Sequence, residues 1–331
     1  MRGYKVPQTA ILLLLLIAVS IALWALLTPT ATSTPTPTET PTNTPIPTPT
    51  PTSPPPTTTG LLQVTFLDVS QGDAAWLKTP DGWDILIDGG EESEGPGLVS
   101  YLQSHGVTDI EVLVLSHPHA DHVGGLIAIL ENMGVDGAVT NCQDHSSTVY
   151  QTFKDLLATK AIPTVCARDG DSLAWGSYIS ATVVNPPDPL MTAPDPINNN
   201  SVVLRISYDT IDFLFTGDIE SEAEAGILGR SRTVEAEILK VAHHGSGSSS
   251  TTLFLAQVAP EIAVISVGAS NPYDHPDPEA LQRLRDAGAA IYRTDLHGTI
   301  VVTTDGTTYW LEPETSYLYL PLVMKGWPPA P

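Results

Sequence analysis

Basic residues are scarce in this chain. Only 14 Lys and Arg stand against 37 Asp and Glu among 331 residues, which gives a formal net charge of −23. This imbalance argues against binding of a nucleic acid or another polyanion through bulk electrostatic attraction. It leaves either a small substrate or a local basic patch around Lys240, Arg283, Arg285 and Arg293.

Cysteine is scarcer still. Cys142 and Cys166 are the two cysteines of the chain, and neither belongs to a Cys-x-x-Cys pair, so the sequence offers no thiolate metal motif. Each cysteine ends an apolar run. If these runs are neighbouring strands, the two thiols can form a disulfide, which an exported domain would allow. Two buried free thiols are the alternative.

We do not expect residues 1–60 to form a folded domain. After a basic flank over 1–9, an apolar run of 18 residues over 10–27 is interrupted only by Ser20, which predicts a transmembrane anchor. A cleaved signal segment is the alternative. Arg2 and Lys5 predict that the N-terminus stays inside and the rest of the chain lies outside the cytoplasm. Residues 28–60 are almost entirely Thr and Pro, which predicts an extended stalk.

Residues 61–313 alternate between strand-like and helix-like patterns. Apolar residues three to four apart predict helices at Leu98–Ser104, Val123–Asn132, Val149–Thr159 and Pro278–Ala287. Short apolar runs predict strands at Leu61–Leu67, Ala74–Lys78, Trp83–Ile87, Glu111–Leu115, Ile179–Val184, Val202–Tyr208, Ile211–Phe215, Ile238–Val241, Ala263–Val267 and Thr299–Thr303. Periodicity alone therefore predicts one domain of mixed α and β structure.

Three imidazoles and a carboxylate cluster in the run Ser116-His117-Pro118-His119-Ala120-Asp121-His122, directly after a predicted strand. Side chains two apart in extended chain share a face, so His117 and His119 can bind one metal ion. Asp121 and His122 lie where the chain turns into a helix and can reach a second ion. Imidazole and carboxylate are ligands that suit zinc, with manganese or iron as alternatives. The run predicts a site for two divalent ions.

His-x-His-x-Asp-His after a strand resembles the signature of the metallo-β-lactamase superfamily. Further motifs resemble one branch, the hydrolase domain of ComEC-type competence proteins and its stand-alone relatives. In chain order these motifs are Phe66–Ala74, Ile87–Gly90, Asn198–Leu204, Thr216–Asp218, His243–Ser246 and Asn271–Pro276. The resemblance implies a four-layer αββα sandwich over 61–313, with two central sheets and helices outside. It leaves residues 314–331 as an apolar and Pro-rich tail.

The resemblance also implies roles for site residues. His117 and His119 would bind the first ion, Asp121 and His122 the second, and Asp218 would bridge both. The pair His243-His244 would supply another ligand, with His243 preferred, although the reverse order stays open. Asp88 would orient a ligand histidine, and Asp68 and Asp73 would do the same or cap the opening turn.

Most of the superfamily that this chain resembles has another histidine before the bridging aspartate. This chain has Asn198-Asn199-Asn200-Ser201 there, which puts lactamase, glyoxalase and lactonase activities in doubt. Asn199, Ser201, Ser246 and Asp295 are the candidates for contacting substrate, and the alternative for the asparagines is a simple turn. His275 is placed to protonate a leaving oxygen or to bind a phosphate.

These expectations combine into one functional hypothesis. Two divalent ions lower the pKa of a bound water, so a metal-bound hydroxide is the expected nucleophile. We expect three residues to take part in catalysis together with this hydroxide, namely Asp121, Asp88 and His275. The sequence predicts a membrane-anchored, extracytoplasmic hydrolase of phosphodiesters, such as DNA or a phosphate-bearing envelope polymer. The alternatives are an ester or amide hydrolase of the lactamase type and a surface protein that binds without catalysis.

Overall fold

The computed structural model describes residues 60–313. The predicted anchor, nearly all of the predicted stalk and the predicted tail lie outside these residues. Within 60–313, every helix is too short or too polar to span a bilayer.

Two large sheets form the centre of the described domain. The first has the strand order β17-β16-β1-β2-β3-β5-β7-β8, and the second has the order β15-β14-β13-β12-β11-β10-β9. The strands of the first sheet are β1 (Leu62–Phe66), β2 (Ala75–Lys78), β3 (Asp84–Ile87), β5 (Val112–Val114), β7 (Ala138–Thr140), β8 (Thr164–Cys166), β16 (Ile300–Thr304) and β17 (Tyr309–Pro313). Those of the second are β9 (Ser172–Trp175), β10 (Ile179–Asn185), β11 (Val203–Tyr208), β12 (Ile211–Phe215), β13 (Ile238–Lys240), β14 (Ile262–Ile265) and β15 (Ala290–Arg293). A small pair is formed by β4 (Asp109–Ile110) and β6 (Gly134–Val135).

The helices connect these strands. They are α1 (Gly95–Ser104), α2 (Ala120–Asn132), α3 (Thr148–Thr159), α4 (Pro196–Asn199), α5 (Ser221–Gly229), α6 (Thr252–Val258), α7 (Pro278–Asp286) and α8 (Thr294–His297). The four predicted helices correspond to α1, α2, α3 and α7, and the predicted strands agree with observed strands to within two residues at each end.

The core is divided into three apolar layers by the two sheets. In β12, Phe213 and Phe215 face the other sheet, whereas Leu214 faces the helices on the outside, as the two-residue period of a strand requires. The rings of Phe66 and Phe215 stack between the sheets with centroids 5.6 Å apart. Helices α1, α2 and α3 cover the first sheet, and α5, α6 and α7 cover the second. The expected αββα sandwich is confirmed.

A disulfide joins Cys142 and Cys166, whose Cα atoms are 5.2 Å apart. The reason is that β7 and β8 are parallel neighbours, with Thr140 paired to Cys166. Of the two arrangements left open by the sequence, the disulfide is therefore the one present. It ties β8, whose residues are exposed, to the rest of the first sheet.

Removing this disulfide should destabilise the domain without affecting its function. We expect the double change Cys142→Ser with Cys166→Ser to lower the free energy of unfolding by about 2–4 kcal/mol, because the unfolded chain regains the entropy of the open loop. Denaturant titration measures the change. Reduction of the unaltered protein should produce the same shift, and equal stability of the two proteins would contradict the prediction.

Candidate metal centre

The candidate site lies where strands of both sheets end. In the first sheet, β3 and β5 run parallel and are followed by Asp88 and His117. In the second, β12 and β13 run parallel and lead to Asp218 and His244. Ligands bind at the carboxyl ends of parallel strands because their loops converge there. The His117 Nε2 and Asp218 Oδ2 atoms are 3.7 Å apart, so the loops of the two sheets meet at this site.

A glycine lets the opening loop approach the site closely. Gly72 has a φ of +123°, and a Cβ at this position would lie 2.2 Å from the backbone oxygen of Asp121. The next residue, Asp73, donates its backbone N–H to that same oxygen over 3.1 Å. Another residue at position 72 would be strained and would push the loop away. Gly72 therefore brings the Asp73 carboxylate next to the ligand cluster.

The Asp218 carboxylate lies at the centre of the cluster. Its Oδ2 atom is 3.3 Å from His122 Nε2, 3.5 Å from His244 Nε2 and 3.7 Å from His117 Nε2. The backbone N–H of Asp218 donates to Ser201 Oγ over 3.1 Å, which fixes the turn that presents the carboxylate. One carboxylate oxygen thus faces three buried imidazoles.

Two of these imidazoles are oriented through their other ring nitrogen. His122 Nδ1 lies 2.9 Å from Asp88 Oδ2, and His244 Nδ1 lies 2.9 Å from the carbonyl oxygen of Ser266. Both acceptors favour the tautomer with the proton on Nδ1. The Nε2 lone pair of each ring is then directed at Asp218 and is available to a metal ion.

The donor set fits a divalent metal centre. Three ligand groups lie within 4.8 Å of one another in each of the sets His117-His122-Asp218 and Asp121-His122-His244. Within residues 60–313, the buried atoms Asp218 Oδ1, His122 Nε2 and His244 Nε2 lack a hydrogen-bond partner. Buried polar atoms without partners are costly, and an ion at this place would satisfy them. His119 is half-buried, with its Nδ1 3.0 Å from His117 Nε2.

Protonation differs among the clustered histidines. Burial, together with the neighbouring His122, holds the pKa of His117 well below its usual value. Burial also disfavours a charge on His122 and His244, but Asp218 and further carboxylates outweigh burial and hold both pKa values well above the usual range. Protons and metal ions therefore compete for the same nitrogen atoms, and metal affinity should increase as the pH rises.

Within His243-His244, the geometry favours the reverse of the order preferred from the sequence. The His244 side chain is buried, and its Nε2 lies 3.4 Å from Asp121 Oδ2. The His243 side chain is partly exposed at the rim, 4.0 Å from Asp218 Oδ2 and 3.3 Å from Glu220 Oε1. The geometry favours His244 as the ligand and leaves His243 facing the mouth of the site.

Two residues predicted to contact substrate are engaged inside the protein instead. Asn199 is buried, and its Oδ1 accepts from the backbone N–H groups of Glu220 and Ala223. Ser201 is also buried and donates its hydroxyl to the carbonyl of Asn198 while it accepts from Asp218. These contacts correct the prediction, because both residues shape the loops behind the metal ligands.

Three other predicted residues lie around the site rather than in the ligand cluster. Asp68 is exposed and accepts from the backbone N–H of Ser70, so it caps the opening turn. Asp295 forms an ion pair with Arg293, whose guanidinium donates hydrogen bonds to both carboxylate oxygens of Asp295. The hydroxyl of Ser246 lies 2.9 Å from that of Ser248, within its own loop. A substrate contact by Ser246 stays a prediction.

His275 lies at the rim beside His243, with ring centroids 5.7 Å apart. Its Nδ1 is 3.5 Å from Asp277 Oδ2. Glu220, which the sequence did not single out, contacts the site through His243, and Lys240 contacts it through Asp73. Lys240 was expected to belong to a basic patch open to substrate, but its side chain is buried in this ion pair. The signal for a role of Lys240 in the site was a charged residue at the end of the apolar strand β13. No comparable signal pointed to Glu220.

Asp88 offers a test of the metal centre through a neutral variant. We expect Asp88→Asn to weaken metal binding by about 10–100-fold, because the carboxylate that orients His122 is lost. Asp84→Asn is a matched control at the start of β3, the strand that Asp88 follows, where the buried carboxylate accepts from Trp76 and Lys78 away from the cluster. Competition with a chromophoric chelator measures the affinity. An equal loss in both variants would assign Asp88 a general structural role.

The sequence has relatives among known proteins. Residues 67–139 match the family model described as the metallo-beta-lactamase superfamily. The chain is 29% identical over 257 residues to ComE operon protein 3 of Bacillus subtilis, covering 72% of this chain and 32% of that protein. It is 31% identical over 248 residues to Recombination protein 2 of Haemophilus influenzae, covering 72% and 28%. It is 30% identical over 110 residues to Ribonuclease Z of Saccharolobus solfataricus, covering 30% and 34%. The chain spans about a third of the length of these relatives.

Proposed function

We propose that this protein, whose residues 67–139 match the metallo-beta-lactamase superfamily, is a phosphodiesterase dependent on two divalent metal ions, with zinc as the favoured ion. The observation that carries the proposal is the Asp218 carboxylate, which faces His117, His122 and His244 at the junction of the two sheets. Imidazoles grouped around a shared carboxylate are suited to a pair of ions.

The buried charges support two ions rather than one. Four carboxylates, those of Asp73, Asp88, Asp121 and Asp218, line the cluster, and Lys240 is the cation beside them. Their sum is three negative charges. One divalent ion would leave the cluster with one negative charge, which would repel an anionic substrate, whereas two would leave one positive charge to balance a hydroxide or a phosphodiester anion. A net charge buried in low dielectric is costly unless it is balanced.

Divalent ions in such a site activate water for attack and stabilise the charge that develops on phosphoryl oxygens. The residues of the chain contribute orientation and proton transfer. Asp88 holds the ring of His122, and Ser266 holds that of His244. At the rim, His275 and His243 are the imidazoles able to give a proton to the leaving oxygen.

The substrate class is supported by three further observations. Asparagines stand where most of the superfamily has a histidine, which argues against the lactamase type. One relative is a ribonuclease by name, and another is named for recombination. The net charge of −23 opposes long polyanions. Short or single-stranded nucleic acid, or a phosphate-bearing envelope polymer, is therefore the proposed substrate.

We place this domain outside the cytoplasm, joined to the membrane through residues 10–27. The Cys142–Cys166 disulfide supports this location, since disulfides persist in oxidising compartments. Protease added to intact cells or spheroplasts should cleave the Thr- and Pro-rich segment and release the domain. Full protection until lysis would contradict the topology.

An assay with the purified full-length chain tests the reaction. We expect hydrolysis of bis(p-nitrophenyl) phosphate and of short single-stranded DNA, both abolished by a chelator and restored by added zinc or manganese. Nitrocefin, a lactamase substrate, should not be turned over. Efficient turnover of nitrocefin without activity on either phosphodiester would instead support an amide hydrolase, and metal binding without any turnover would support a binding protein.

A further inference from the structure

A buried lysine lies behind the ligand cluster. Lys240 ends strand β13, and 4% of its surface is exposed. Its Nζ atom lies 2.6 Å from Asp73 Oδ2 and donates to the carbonyl of Val241 over 3.0 Å. A cavity of about 10 Å³, lined in part by Lys240, Asp73, Asp88 and Ser116, adjoins this pair. Such a volume is about that of one water molecule, whose oxygen would accept a hydrogen bond from the third hydrogen of the Lys240 ammonium.

Asp73 lies close enough to the cluster to become a metal ligand itself. Its Oδ1 is 3.3 Å from His244 Nδ1, and its Oδ2 is 3.9 Å from His122 Nδ1. Two of the candidate ligand sets include it, Asp73-Asp218-His244 and Asp73-Asp88-His122. A carboxylate here would compete with the histidines for an ion unless something holds it back.

We propose that Lys240 is a positioning residue that keeps Asp73 out of the metal coordination and thereby preserves the selectivity of the site for zinc. The ammonium pairs with Oδ2 of Asp73, and Oδ1 of Asp73 lies 3.3 Å from Nδ1 of His244. The inference rests on the metal centre of the proposed function but not on the identity of the substrate. Without the lysine, Asp73 turns to the ions and adds a carboxylate oxygen, a ligand that favours manganese over zinc.

The test compares the affinities of the full-length protein for Zn²⁺ and Mn²⁺ by chelator competition. In Lys240→Met, we expect the ratio of zinc to manganese affinity to fall by about tenfold or more, which is the size of effect that residues supporting metal ligands have. In the double variant Lys240→Met with Asp73→Asn, the ratio should return close to the original value. The amide of residue 73 lacks the charge that would draw it to the ions, and its oxygen stays near the Nδ1 atom of His244.

Thermal unfolding of the metal-free proteins separates selectivity from stability. A lysine with a purely structural role would lower stability in Lys240→Met and leave the ratio of affinities unchanged, which would overturn the inference. A ratio that stays low in the double variant would also overturn it. Should Lys240→Met fail to fold, Lys240→Gln retains a polar contact to Asp73 without the charge, and the same shift is expected there. These readouts are independent of turnover, so a protein without phosphodiesterase activity would refute the proposed function and not this inference.

Discussion

Asp218→Ala is expected to remove both metal ions and to lower phosphodiesterase kcat/KM by more than about 100-fold. Changes to residues that only support metal ligands cost about 10–100-fold, and the Asp218 carboxylate faces three candidate ligand histidines directly. Its loss also removes the carboxylate that the Nε2 atoms of His122 and His244 share. Metal analysis of the purified variant, followed by the bis(p-nitrophenyl) phosphate assay, measures both effects.

A suitable control for Asp218 lies at the far end of the same strand. Asp209 is an exposed aspartate in the turn between β11 and β12, and Asp209→Asn should leave metal content and activity unchanged. The double variant His117→Ala with His119→Ala should retain one ion or none. If Asp218→Ala still held two ions per chain, Asp218 would not be the bridging ligand.

The second large effect is expected from His275→Ala, and it should depend on the leaving group. On substrates with a poor leaving group, such as a dinucleotide, we expect kcat to fall by about 10²–10⁴-fold, the range for loss of a general acid. On nitrophenyl esters the fall should be small, because nitrophenolate leaves without a proton. Equal losses on both substrates would indicate that His275 binds substrate rather than donating a proton.

The pH dependence provides a separate check on His275. Burial and the nearby His243 lower the pKa of His275 below its usual value. A general acid acts only while it is protonated. The rate on the dinucleotide should therefore decline as the pH rises through this lowered pKa, starting at a more acidic pH than for an ordinary histidine. His105→Ala, at an exposed histidine remote from the cluster, should leave this profile unchanged.

The strands and helices that the sequence predicted have local signals, whereas short elements such as β9, β15 and α4 were not predicted. The alternation in β12 and the helical spacing in α2 depend on neighbouring residues, and the motif from His117 to His122 holds its ligands within six positions. The order of His243 and His244 was less predictable. Both residues have left-handed backbone conformations, with φ of 50° and 53°, and this turn decides which side chain points inward.

Long-range contacts account for what the sequence did not reveal. The side chain of Asn199 bonds to the backbone of Glu220, 21 positions away, and Lys240 pairs with Asp73 across the two sheets. Neither partner can be identified from spacing or composition. Residues that are polar and adjacent to motifs were therefore predicted to meet substrate, whereas several of them hold the loops in place.

The division of the ligands between the two sheets makes the metal centre a cross-link between two halves of the domain. His117 and His122 follow a strand of the first sheet, and Asp218 and His244 follow strands of the second. An ion that binds His122 and Asp218 joins these halves and stabilises only the docked arrangement. The metal-loaded protein is therefore expected to resist unfolding and proteolysis better than the metal-free protein.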